Sequence, residues 1–277
     1  MRHQIGKLKQ NTELDFTNTE KLYAEGTLLF LAELKRLIKY TEGNVHLTCK
    51  LPINNKSAQV LKQLGILDLL GVKTPIVPLD DDVVNWRCAS GHQVLGAKYE
   101  DILSSYNGEI TPALQQNLYT GITEAMTNVI NHAYDLGRED KLNIKSTKDW
   151  WMFSQEKDNY LSVVFCDLGA GIPRTLPMKR PGLINRIIRK GIYGDGEIIK
   201  YAVKDSVSRT KKKYRGKGLN QIIQTIVEVP GARVLILSNK GAFMQIAGQR
   251  PTCMSFDDSI LGTLIFWGIP LPSREES

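Results

Sequence analysis

Four polar side chains in GITEAMTNVINHAYD, residues 121–135, have the types and spacing to do chemistry together. On a helix advancing 100° per residue, Glu124 and Asn128 lie about 40° apart, with Asn131 and His132 flanking them. A glutamate there can orient or deprotonate a water, and an asparagine amide oxygen is a hard neutral ligand for a magnesium ion that keeps several waters. The alternative is a solvated helix face, and for His132 a helix-end position with no chemistry. A second candidate lies in FCDLGAGIPRTL, residues 165–176, where Asp167 ends an apolar run and is followed by Gly169, Gly171 and Ile172. A carboxylate at that point can accept a hydrogen bond from an amine, and the glycines permit positive φ or a close backbone approach. A plain turn leaving a strand reads equally well. The third candidate is RGKGL, where Arg215, Gly216, Lys217, Gly218 and Leu219 precede an amphipathic helix whose free amides can receive phosphate oxygens. Lys211, Lys212 and Lys213 just before it read as a solvated run.

These residues need elements to hold them. Ile122, Ala125, Met126, Val129, Ile130 and Ala133 form one apolar stripe, which predicts a helix over 112–134 that buries one side and presents Glu124 and Asn128 on the other. Thr123 and Thr127 are indifferent helix formers, so that polar side is not composed for helix stability. A strand over 160–166 delivers Asp167, and Pro173 is expected to stop the segment from running straight into a helix. Thr175 stands where a dinucleotide fingerprint needs its third glycine, and there is no G-x-x-x-x-G-K-[ST] for a P-loop. Residues 173–217 read as basic and irregular, followed by a helix from Leu219 and strands in ARVLILSN, AFMQIAG and GTLIFWGI. Towards the amino terminus the first forty residues read as mostly helical, VHLTCKLP as a strand, and Asn54 and Asn55 as the start of a short helix. The connector GVKTPIVPLDDD suggests a boundary between residues 78 and 96, dividing the chain into an α/β adaptor over 1–92 and a larger unit over 93–277.

The chain has 277 residues and a net charge of +7, long enough for a substantial core and suited to a nucleic acid, an anionic surface or a polyanionic small molecule. Cys49, Cys88, Cys166 and Cys253 are far apart and read as reduced thiols. No apolar run approaches the roughly 20 residues of a spanning helix, and MRHQIGKLKQ lacks a secretory apolar core, so a cytoplasmic protein with no membrane association is expected.

Taken in order, EAMTNVINHA, DLGAGI, RGKGL and GTLIFWGIPLP resemble the ATP-binding domain of the GHKL superfamily, the histidine kinase-like or Bergerat fold of sensor kinases, gyrase, MutL and heat-shock chaperones. The resemblance covers roughly residues 98–272. It implies an α/β sandwich in which a mixed sheet is covered by helices on one face, with ATP and Mg2+ as cofactors. It assigns Glu124, Asn128 and His132 to the N-box, with Glu124 as general base and Asn128 on magnesium. Asp167, Gly169, Gly171 and Ile172 match the first glycine box, with Asp167 on the adenine amine. Arg215, Gly216, Lys217, Gly218 and Leu219 match the second, and Thr263 matches a threonine that helps hold adenine. The stretch between Pro173 and Arg215 would be the lid over the phosphates. No helix carries a phosphoacceptor histidine, and no transducer segment follows Pro272 to supply a catalytic lysine, so efficient hydrolysis is expected to need a partner. The amino-terminal strand, loop and helix order is similar to STAS modules. The implied function is a nucleotide-dependent conformational switch acting on a protein partner. The alternative is a serine/threonine kinase of the anti-sigma-factor type with a STAS-like substrate. A homodimer is compatible with either, and nucleic-acid engagement through the basic lid ranks last.

Overall fold

The computed structural model describes residues 1–94, 111–142, 144, 148–189, 191, 194–210, 218–224, 226 and 228–271. The chain opens with a π-helical turn, Arg2–Lys7, and a short strand β1 (Thr12–Asp15). Helix α1 (Ala24–Tyr40) then carries it to β2 (Leu47–Lys50), which pairs with β1 in parallel. The first forty residues are thus helical over more than half their length, as the pattern suggested, but with a strand the pattern did not show. TELD is too short and too polar to announce a strand, and it is strand only because α1 returns the chain alongside it. Helix α2 (Asn55–Gln63) starts where Asn54 accepts the Ser57 N–H at 2.9 Å, a side-chain cap on an otherwise unsatisfied donor. Two single turns follow, α3 (Ile66–Leu69) and α4 (Asp81–Val84), and then strand β3 (Arg87–Gly91).

Helix α5 (Pro112–Asn128) begins at Thr111, whose hydroxyl accepts the Leu114 N–H, with Pro112 in the first turn where its missing donor is harmless. It runs into a π-helical turn, Val129–Ala133. Strands β4 (Trp150–Lys157) and β5 (Tyr160–Asp167) form a hairpin whose two connecting residues, Asp158 and Asn159, both have positive φ. Helices α6 (Ile172–Lys179), α7 (Pro181–Arg189) and α8 (Asp195–Thr210) come next, then α9 (Gly218–Gln224). Four strands close the described chain: β6 (Arg233–Ser238), β7 (Gly241–Ile246), β8 (Thr252–Ser255) and β9 (Thr263–Pro270).

The region expected to be irregular is helical over most of its described length. Pro173 does not stop a helix: it sits in the first turn of α6, and Pro181 opens α7, positions where proline's fixed φ suits a helix start.

Seven strands form one sheet in the order β3-β4-β5-β9-β6-β7-β8, and every neighbouring pair is antiparallel. The expectation of a mixed sheet covered on one face is thus corrected on both counts. One face, through Met152, Val163, Phe165, Ile236, Ile265 and Trp267, packs on Leu118, Ile122, Met126, Ile199 and Ile223 from α5, α8 and α9. The other, through Phe153, Val164, Cys166, Leu264 and Phe266, packs on Leu28, Leu31, Leu34 and Leu37 from α1. Side chains alternate between faces along a strand, so the unbroken run LSVVFC in β5 requires cover on both sides. The segment before residue 92 supplies that second cover and the edge strand β3. Among the described residues no helix is long and apolar enough to cross a membrane.

Candidate functional site

Antiparallel register brings one residue from each of five strands into a row across the sheet end. Trp150 of β4 stands opposite Asp167, Asp167 opposite Thr263, Thr263 opposite Ser238, and Ser238 opposite Gly241. Asp167 continues the alternation of Leu161, Val163 and Phe165, so it points to the face covered by α5. It is 5 % exposed and accepts the Gly169 N–H at 2.9 Å. Burial pushes its carboxyl up to about 7, against the opposing pull of the Gly169 N–H, the Arg138 charge and Thr263. Its donors within the fold are the Gly169 N–H and Thr263, and burial outweighs them.

The glycines after Asp167 have a reason inside the protein. The Ala170 N–H donates to the Ala133 carbonyl at 2.7 Å, and a Cβ on Gly169 would collide with that same carbonyl. Gly171 has φ of 80°, and a Cβ there would lie 2.5 Å from the Asn239 side chain. The close approach that these residues permit is therefore to the end of the α5 helix and to the β6–β7 turn. In consequence the loop after Asp167 is fastened to the helix that bears Glu124 and Asn128.

On that helix Leu118, Ile122, Ala125 and Met126 are buried, whereas Thr123, Glu124, Thr127 and Asn128 are half-buried. Burial also raises the Glu124 carboxyl above the usual glutamate range. The two threonines turn back on their own helix, Thr123 to the Tyr119 carbonyl and Thr127 to the Thr123 carbonyl, each at 2.8 Å. His132 lies in the π-helical turn, a distortion that inserts slack into a helix and recurs at functional sites. Its Nδ1 is buried with no hydrogen-bond partner among the described residues. Ile172 is packed against the core and donates its N–H to Ser238, while Leu219 is partly buried in the first turn of α9, which Gly218 opens. Arg215, Gly216 and Lys217 lie outside the described residues.

A divalent ion and a nucleotide can be tested against these groups. Among the described residues no three His, Cys, Asp or Glu side chains converge as a metal cage. Asn128 alone would share an ion with the ligand's own oxygens and water, a mode that suits magnesium. Asp167, with room for about four hydrogen bonds on its two oxygens, fits a ligand that brings an N–H. A separate cavity of about 460 Å³ lies between α8, α9 and β7, bordered by Lys200, Val203, Lys204, Asn220, Ile223 and Phe243. None of the residues in the Asp167 row lines it.

Sequence reasoning missed Ser238 and Asn239. Ser238 is fully buried, and its Oγ accepts the Ile172 N–H at 2.8 Å and lies 3.0 Å from the Thr263 Oγ1 and 3.2 Å from the Gly262 carbonyl. Asn239, with φ of 50°, donates from Nδ2 to the Ala170 carbonyl at 2.8 Å. The only signal in the sequence is the polar SN pair ending the apolar run of β6, and it acquires meaning only through the register with β9.

Also missed was a buried ion cluster beneath the site. Arg138 donates to both Glu33 oxygens at 3.1 and 3.3 Å and to Asp140 at 2.7 Å. Arg36 lies 3.4 Å from Glu33, and Arg2 3.2 Å from it. Arg2 also donates to the Ile260 carbonyl at 2.9 Å. No protein-family model matches this chain, and no curated protein matches it either.

Proposed function

We propose that this chain binds Mg-ATP in the manner of the GHKL superfamily, with a Bergerat-type arrangement of sheet and helices, and serves as a nucleotide-dependent switch for a protein partner. The observation that carries this reading is Asp167: a buried carboxylate at a strand tip, in register with Thr263 and tied through Ala170 to the helix of Glu124 and Asn128. In this reading Asp167 accepts the exocyclic amine of adenine, Thr263 lies beside it, and Asn128 holds the metal. His132, Gly169, Gly171, Ile172 and the segment Arg215 to Leu219 shape the remainder of the site. The bound nucleotide supplies a terminal phosphoryl group that can be hydrolysed or transferred. Helices α6 to α8 follow directly from the glycine loop, so a shift of that loop is carried into three helices that a partner can read. The amino-terminal layer, STAS-like in its strand and helix order, is the second surface for such a partner.

Serine/threonine kinase activity is the second reading, and the raised Glu124 carboxyl favours it. A base whose proton affinity is moved towards neutrality is better matched to receiving a hydroxyl proton. Transfer of labelled phosphate to a co-purified protein would select this reading, whereas nucleotide-dependent complex formation without transfer selects the switch.

Thermal unfolding with and without Mg-ATP tests the binding itself. Nucleotide at 100 times its Kd should stabilise the wild type by about 2.7 kcal/mol, a rise of several degrees. Asp167→Asn should lose the rise for both ATP and ADP. Asn128→Ala should lose part of it for ATP and little for ADP. Folded wild type that ignores millimolar Mg-ATP would refute the proposal.

A further inference from the structure

The hydrogen bonds behind Asp167 form a chain with a direction. It starts at the Ile172 N–H, which can only donate, and its acceptor is the Ser238 Oγ at 2.8 Å. Ser238 accepts that hydrogen bond on a lone pair and has its own hydroxyl proton to donate, with the Thr263 Oγ1 at 3.0 Å and the Gly262 carbonyl at 3.2 Å as the acceptors in reach. If it goes to Thr263, then the Thr263 proton is displaced towards the neighbour across the ladder, Asp167. All four groups are buried or nearly so, and buried hydroxyls aligned head to tail polarise one another in one sense. Gly169 donates to the same carboxylate from its other side. Every partner on the protein side therefore treats Asp167 as an acceptor, leaving its remaining lone-pair position to a donor from the ligand.

We propose that Ser238 is the positioning residue of this site: by accepting from Ile172 and donating to Thr263 it holds Asp167 as an obligate acceptor, and so selects a 6-aminopurine over a 6-oxopurine. The proposal rests on the nucleotide-binding reading above and adds the residue that sets base choice. A 6-oxopurine presents a lone pair where the amine would be, and meets a carboxylate that has no proton to offer. Without the Ser238 hydroxyl, Thr263 is free to turn its proton elsewhere, and the carboxyl more readily keeps a proton that a 6-oxo group can accept. The loop bearing Gly171 loses an anchor at the same time, which weakens both nucleotides alike. Only the ratio between them reports the positioning role.

Affinities of Mg-ATP and Mg-ITP, whose bases differ in the 6-substituent and in the proton that hypoxanthine carries on N1, are measured for wild type, Ser238→Ala and Ser238→Cys from pH 6 to 8.5. Wild type should prefer ATP by about tenfold or more at pH 8 and lose that preference as pH falls below about 7, where Asp167 takes up a proton. Ser238→Ala should bring the ratio to within about threefold at pH 8, and Ser238→Cys should behave alike because a thiol is a weak donor. An unchanged ratio in either folded Ser238 variant overturns the inference while leaving nucleotide binding intact. Wild type that binds neither nucleotide overturns the underlying reading and this inference with it. Should both Ser238 variants fail to fold, the wild-type profile decides: a ratio flat across pH 7 refutes an acceptor-only carboxylate.

Discussion

Two acids are buried on opposite faces of the same sheet, and they are treated very differently. Glu33, 3 % exposed, faces three guanidinium groups, from Arg2, Arg36 and Arg138, with Asp140 sharing two of them. Asp167, 5 % exposed, is held by the neutral donors of Gly169 and Thr263 and feels the Arg138 charge only as a more distant influence. The first is a closed arrangement in which three cations share two carboxylates within the fold. The second retains unused acceptor capacity. A carboxylate buried without a full set of donors is costly, and the structure keeps it at the point where the glycine loop, β9 and α5 meet. The difference between the two acids separates a closed structural device from a candidate recognition site.

That contrast can be broken at either end, and the largest effect is expected at the closed one. Arg138→Leu leaves Glu33 and Asp140 buried with an incomplete set of partners, and should cost about 3–5 kcal/mol in chemical denaturation. A loss under about 1 kcal/mol would mean that the cluster is as dispensable as a surface pair.

Asp167→Asn should act in the opposite direction on the ligand-free protein. The folded-state carboxyl, at about 7, lies above its ordinary value of 3.8, so between those pH values the folded state holds a proton that the unfolded state has lost. Stability from this group therefore falls as pH rises through that window and stays low above it, by about 4 kcal/mol at most for a shift of about three units. The asparagine variant has no charge to bury and can still accept from Gly169. It should match wild type near pH 4 and exceed it at pH 8, even as it loses nucleotide. Equal thermal stability of the two at pH 8 would show that Asp167 is already satisfied.

The smallest effect sharpens the comparison by locating its scaffold. Thr111→Ala removes the side-chain cap of α5, far from both acids, and should cost about 1 kcal/mol without altering nucleotide selectivity. A change in selectivity from that variant would mean that the position of the whole helix, and not the chain behind Asp167, sets base choice.

Much of the local structure around Asp167 is legible in the amino-acid sequence. Asp167 ends an apolar strand, the apolar stripe of α5 orients Glu124 and Asn128, and Asn54 caps α2, because each of these signals is local in sequence. Ser238 is not legible, since its neighbours Thr263 and Ile172 are set by strand register and by the return of the glycine loop. The Glu33 cluster is hidden for the same reason: Arg2, Glu33, Arg36, Arg138 and Asp140 are three separate stretches whose charges look like surface charges until α1 lies against the sheet. Pro173 and Pro181 mislead because proline breaks a helix interior but suits its first turn, and local sequence does not say which applies.

Ile5 has no exposed surface, and a methyl group on Gly6 would press against Leu37 and Leu142. The amino-terminal turn is thus a plug wedged between α1 and the loop after α5, rather than a tail. Trimming the first eight residues is equivalent to carving a hole in the interior and stripping one cation from Glu33.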